Sequence, residues 1–125
     1  MSSKVFRARI DEYAAFNAYP NGSPPTPHPI AINGDNVEGW QVDSQGQTFN
    51  YKIIHNLNLS HPEKLVVQLK SVYTFATLDP IHARVFPGTR NYFVVQGYGI
   101  RPGGTGPQAE FEHSCGFVFE AELFS

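Results

Sequence analysis

The sequence predicts an all-β protein built as an antiparallel β-sandwich, and three runs of strict alternation predict it. The clearest places Ala109, Phe111, His113, Cys115, Phe117, Phe119, Ala121 and Leu123 on one face. Glu110, Glu112, Ser114, Glu120 and Glu122 fall mainly on the other. A helix would scatter these residues around its circumference, whereas a strand presents alternate residues to opposite faces. A second run sets Phe49, Tyr51, Ile53, His55, Leu57 and Leu59 against Asn50, Lys52, Asn56 and Asn58. A third sets Leu65, Val67, Leu69, Ser71, Tyr73 and Phe75 against Gln68, Lys70 and Thr74.

The remaining elements follow in order. Lys4 to Ile10 alternates with Phe6, Ala8 and Ile10 on one side, and Val37 to Val42 forms a short strand around Trp40. Ser60-His61-Pro62-Glu63 links the second and third runs as a hairpin or a short arch between sheets, because its proline cannot donate to a ladder. Asn91 to Ile100 is rich in β-branched and aromatic residues, and Gly97 and Gly99 around Tyr98 mark a bulged or closely approached backbone. The last run is one long strand, or two joined at Gly116. About seven strands with short polar connections suit two sheets packed face to face; a small closed β-barrel has the same alternation and is the alternative. Glu12 to Tyr19 suggests one helical turn, stopped by Pro20. The whole chain, 1–125, reads as a single domain. The prolines of residues 20–29 predict an extended loop or arm with polyproline character, and 101–107 reads as a long turn.

Composition restricts the function. Only 16% of residues are charged and the net charge is -2, so no basic footprint for DNA or RNA is present. One cysteine, Cys115, cannot form an intrachain disulfide. No apolar stretch is long enough for a membrane span, and the N-terminal residues lack the apolar core of a secretory signal. The expected setting is cytoplasmic, or export without a cleaved signal.

Catalytic constellations are weak. His55 and His113 each occupy the apolar face of a strand and would meet if those strands paired. His55 and His61 lack compact metal-ligand spacing, so neither metal nor cofactor is expected. Cys115 shares a face with His113, yet phenylalanines surround it and a thiolate would be poorly stabilised there. Glu110/Glu112 and Glu120/Glu122 face water, unlike a general acid, which needs burial. Gly103 to Gly106 lacks the lysine and helix of a phosphate loop.

Aromatic and amide-rich loops are the better lead. Flat rings stack on the C–H faces of a sugar while planar polar groups read its hydroxyls. Trp40 and Tyr98 are the candidate rings, with Trp40 alternatively a core residue. Asp79, His82 and Arg84 supply candidate polar contacts. The leading reading is a non-enzymatic carbohydrate-binding sandwich that self-associates. A structural component of a virion, tail or appendage, with residues 20–29 as an arm, is the second. A barrel enzyme on an apolar substrate, using His55 or His113 as an interior base, is the third.

From Phe49 to Leu123 the chain resembles the H-type lectin domain of discoidin-like and snail agglutinins. FNYKIIHNLNLSHPEKLVVQL resembles a strand, link and strand of that family; SVYTFATLDPIHARVF, RNYFVV and GFVFEAEL follow in the same order. The resemblance implies a six-stranded sandwich, a homotrimer, and binding of N-acetylgalactosamine-type glycans at subunit junctions. Arg84 matches a family binding position. The family's aromatic–polar pair after the penultimate strand is missing, since Tyr98 to Arg101 contains neither tryptophan nor histidine.

Overall fold

The computed structural model describes residues 3–12, 29–44, 49–75, 80–101 and 109–125. The sequence expectations for a helical turn after Glu12, for most of the proline-rich segment and for the 102–107 turn lie outside them. Among the described residues there are ten strands: β1 (Ser3–Ile10), β2 (Ile30–Ala31), β3 (Gly34–Asp35), β4 (Gln41–Asp43), β5 (Asn50–Ile54), β6 (Leu65–Tyr73), β7 (His82–Val85), β8 (Tyr92–Arg101), β9 (Ala109–Glu112) and β10 (Gly116–Phe124). One sheet has the order β3-β1-β10-β6, the other β2-β4-β5-β8-β7 with β9 beside β8. Every pairing between them is antiparallel. The two sheets form a sandwich and do not close into a barrel, so the barrel alternative is set aside.

The core lies where the two alternations face one another. Phe6, Ala8 and Ile10 of β1 with Phe117, Phe119 and Ala121 of β10 form one wall. Val42, Tyr51, Ile53, Phe93 and Val95 form the other, with Trp40 beside β4. Trp40 stacks on Phe119 at 6.1 Å between centroids and lies 4.7 Å from Phe6. Burying each such side chain contributes roughly 1.5–3 kcal/mol.

The terminal alternating run is two strands. β9 belongs to the larger sheet, β10 to the smaller, and the chain crosses between them at 113–115. The apolar phase survives the corner, so Phe111 and Phe117 both face inward. The second run ends earlier than alternation alone suggests, because Asn56 (φ 54°) and Asn58 (φ 52°) adopt left-handed backbone that no strand continues through. The link to β6 is the arch between sheets, tightened by a 3₁₀ turn over Pro62–Lys64.

In β6 the phase predicted from the sequence fails partway. Leu69 pairs with Phe119 but Ser71 pairs with Val118, leaving Lys70 as the extra residue of a bulge. Beyond it Val72 packs on the core, Tyr73 turns outward and Phe75 is 76% exposed. The bulge re-aims the end of the strand, and Phe75 is not a core residue.

Gly97 sits where β5 hands over to β9 along one edge of β8. Its N–H donates to Phe49 O at 2.8 Å, and its carbonyl accepts from His113 N–H at 3.2 Å. A Cβ there would strike the His113 carbonyl and lie 2.6 Å from Cys115 Sγ. At Gly99 the obstacle is the half-buried Phe111 ring, also at 2.6 Å. A ring can rotate away more readily than a backbone carbonyl can shift. Gly97→Ala should therefore destabilise by about 2–4 kcal/mol and more than Gly99→Ala. Urea denaturation of the two variants checks the order.

Candidate functional site on the outer face of the larger sheet

Strands β7, β8 and β9 carry their polar residues on the outer face. His82 pairs with Tyr98 and Arg84 with Gln96. On the other edge of β8, Glu112 pairs with Tyr98 and Glu110 with Ile100. Side chains opposite or diagonal across neighbouring strands are within reach of one another. The result is a ledge at one end of the sheet built from three strands.

Arg84 organises it. Its guanidinium lies over the Tyr98 ring at 3.9 Å and continues across β8 to Glu110 Oε2 at 2.5 Å. The pair is partly exposed, with side-chain exposures of 36% and 56%, so its net contribution to stability is small. Its effect is orientation: a planar fork held over an aromatic ring. His82 stacks on Tyr98 at 5.4 Å with 28° between planes. Gln96 Nε2 donates to Glu112 Oε1 at 3.4 Å. Imidazole, phenol, guanidinium, amide and two carboxylates thus share one ledge, offering donors and acceptors in fixed directions.

Of the residues expected from sequence, the structure brings His82, Arg84 and Tyr98 together. Asp79 lies outside the described residues. Trp40 is corrected: it is 2% exposed and belongs to the core, because Val37, Gly39 (φ 82°) and a Trp40 N–H to Val37 O bond of 2.9 Å form a turn that swings the indole between the sheets. Sequence reasoning missed Gln96, Glu110 and Glu112 as ledge residues. Their signal was the outward phase of their strands, but only register places them beside Arg84.

The histidines on apolar faces do not meet. His55 follows β5 and its N–H donates to Asn91 O at 2.9 Å, whereas His113 adjoins Gly97. Six residues of strand separate these points on β8, roughly 20 Å. No group of three or more potential metal ligands occurs among the described residues. Cys115 is fully buried, and burial, aided by the Glu12 carboxylate, pushes its thiol up to about 12. The thiolate is negligible at neutral pH. Glu12 is a buried carboxylate that the sequence did not single out. It accepts from the Thr74 hydroxyl at 2.6 Å and the Phe75 N–H at 2.7 Å, which makes it a brace between β1 and the end of β6. Among the described residues no helix is long and apolar enough to cross a membrane.

No family model matches the chain, and neither a curated protein nor a solved structure is matched by it. By its fold the protein is an antiparallel β-sandwich. Its candidate site is the aromatic and polar ledge on the outer face of the larger sheet.

Proposed function

We propose that the protein is a binding module that takes neutral carbohydrate on the His82–Arg84–Tyr98 ledge. The observation that carries this reading is Arg84 laid on Tyr98 and tethered by Glu110, which holds three planar groups in one orientation before any ligand arrives. Pre-oriented side chains avoid the entropic cost of ordering a flexible site. Carboxylates and amides accept or donate to sugar hydroxyls, and the exposed His82 ring offers an edge and a face for C–H contacts. The opposite signs of Arg84 and Glu110 largely cancel, which suits a neutral ligand better than a charged one.

A glycan array with labelled protein, followed by amide NMR titration, tests the reading. The expected result is binding that moves the amide resonances of Gln96, Tyr98 and Glu112. Arg84→Ala and Tyr98→Ala should each weaken it by about tenfold or more. Trp40 fluorescence should stay unchanged on binding, since the indole is in the core. An array without a bound glycan, together with unmoved ledge amides at high mono- and disaccharide concentrations, overturns the proposal.

A further inference from the structure

The outer face of the smaller sheet carries a second arginine laid over a tyrosine, on the side of the sandwich opposite the ledge. Tyr73 of β6 pairs with Gly116 of β10. A Cβ at Gly116 would strike the tyrosine ring near its hydroxyl, so the missing side chain gives the ring its seat. From that seat the ring crosses β10, and its hydroxyl comes within 3.4 Å of the Ile10 carbonyl on β1. The hydroxyl donates to Asp11 Oδ1 at 3.0 Å. Arg9 Nε donates to the same carboxylate oxygen at 3.0 Å, and the guanidinium lies over the ring at 4.8 Å. This repeats the construction at Arg84, Tyr98 and Glu110: a guanidinium over a phenol, tethered by a carboxylate.

Phe75 completes this tray. Its ring meets Tyr73 edge-on at 5.5 Å and is 76% exposed, more than any other large apolar side chain among the described residues. The ring is mounted, not loose. Its backbone N–H donates to Glu12 Oε1, Oε2 of the same carboxylate accepts from the Thr74 hydroxyl, and Glu12 is buried. A buried carboxylate thus fixes the backbone that holds an apolar ring in water, and the gain from covering that ring is left to a ligand. The spare polar atoms lie beside it. Among the described residues neither Nη of Arg9 nor Oδ2 of Asp11 has a hydrogen-bond partner. Two donors, one acceptor and an aromatic surface, with opposite charges that cancel, suit a neutral sugar: its hydroxyls meet the polar atoms and its C–H face covers Phe75.

We propose that the Arg9–Asp11–Tyr73–Phe75 tray is a second site for neutral carbohydrate, so that one chain bridges two glycans. The ligand class rests on the carbohydrate reading of the ledge, and the place rests on the tray's own geometry. The two sites share no residue, and two packed sheets, about 10 Å apart, stand between them. Both glycans are therefore held at once without collision. A single chain links two glycan-bearing surfaces without first forming an oligomer, and gains avidity where both are engaged.

The test titrates the ¹⁵N-labelled full chain with lactose, maltose and N,N′-diacetylchitobiose in turn, each up to its solubility. At least one should move the amides of Asp11, Tyr73 and Phe75 along a curve separate from that of Gln96, Tyr98 and Glu112. Phe75→Ser, a change at an exposed side chain, should weaken tray binding about tenfold or more and leave the ledge curve as it was. Arg84→Ala should do the reverse. Beads coated with the disaccharide that binds should be cross-linked by the unaltered chain and by neither variant. Tray amides that stay put overturn the proposal: beside a ledge that responds it falls alone, and beside a silent ledge the carbohydrate reading falls with it. Tray amides that move beside a silent ledge overturn the ledge reading and keep this one. An unchanged tray curve in Phe75→Ser, or beads still cross-linked by that variant, also sinks the second site. The titration of the unaltered chain decides the matter even if a variant fails to fold.

Discussion

Trp40→Ala should destabilise the domain by roughly 3–5 kcal/mol, the range for truncating a large aromatic in a packed core. Domains of this size have roughly 5–15 kcal/mol in total, so the loss approaches the whole. The indole bridges the walls: it stacks on Phe119 of β10, touches Phe6 of β1 and meets Phe93 of β8 edge-on at 6.5 Å. Removing it takes contacts from both sheets and leaves a cavity that neighbouring strands cannot close, because each is held in its ladder. Trp40→Phe retains part of the stack and should cost about 1–2 kcal/mol. Thermal unfolding by circular dichroism should show a fall in Tm of about 10–20 °C for the alanine variant. A shift of a few degrees would mean that Trp40 lies at the surface after all.

Acid should destabilise the protein through His55. Burial lowers its pKa from 6.5 to about 4 in the folded protein. Between those values the unfolded chain binds a proton that the native one rejects, so stability falls as pH drops. The contribution is fully present above about pH 6.5 and lost progressively toward pH 4, on the order of 3 kcal/mol in all. Urea denaturation across pH 4–7.5 should show this slope, and His55→Phe should flatten it. Because other groups titrate identically in both proteins, the difference between their curves isolates the histidine. Parallel curves would show that the imidazole is hydrated in the native state.

The architecture was legible where alternation alone decides it. Tyr51 and Ile53, and Phe117 and Phe119, all face inward as their period-two runs require. The β6 run failed after Leu69 because a bulge is a property of the pairing, and no residue type at Lys70 announces it. Trp40 read either as a candidate ring, because it follows Gly39 in a polar stretch, or as a core residue; it shares a face with Val42, and the core reading is the one the structure has. For the ledge, Arg84 and Tyr98 were legible one by one as residues on strands, whereas His82 read as part of the preceding loop and is the first residue of β7. Their union with Gln96, Glu110 and Glu112 was not, since it depends on β7 and β9 flanking β8 in one particular register.

The crossing of the chain at 113–115 has a consequence in time as well as in space. β1 and β6 share no ladder: β10 lies between them and joins Ser3 to Phe124 on one edge and Leu65 to Leu123 on the other. Strands β4, β5, β7 and β8 can assemble as soon as they leave the ribosome. The smaller sheet must wait for residues 116–124. Until then β1 and β6 lack the strand that both pair with, and closing ladders between such distant segments is slow, on the millisecond-to-second scale. Nascent chains halted before β10 would expose the β1 and β6 edges that β10 covers, the natural quarry of a chaperone.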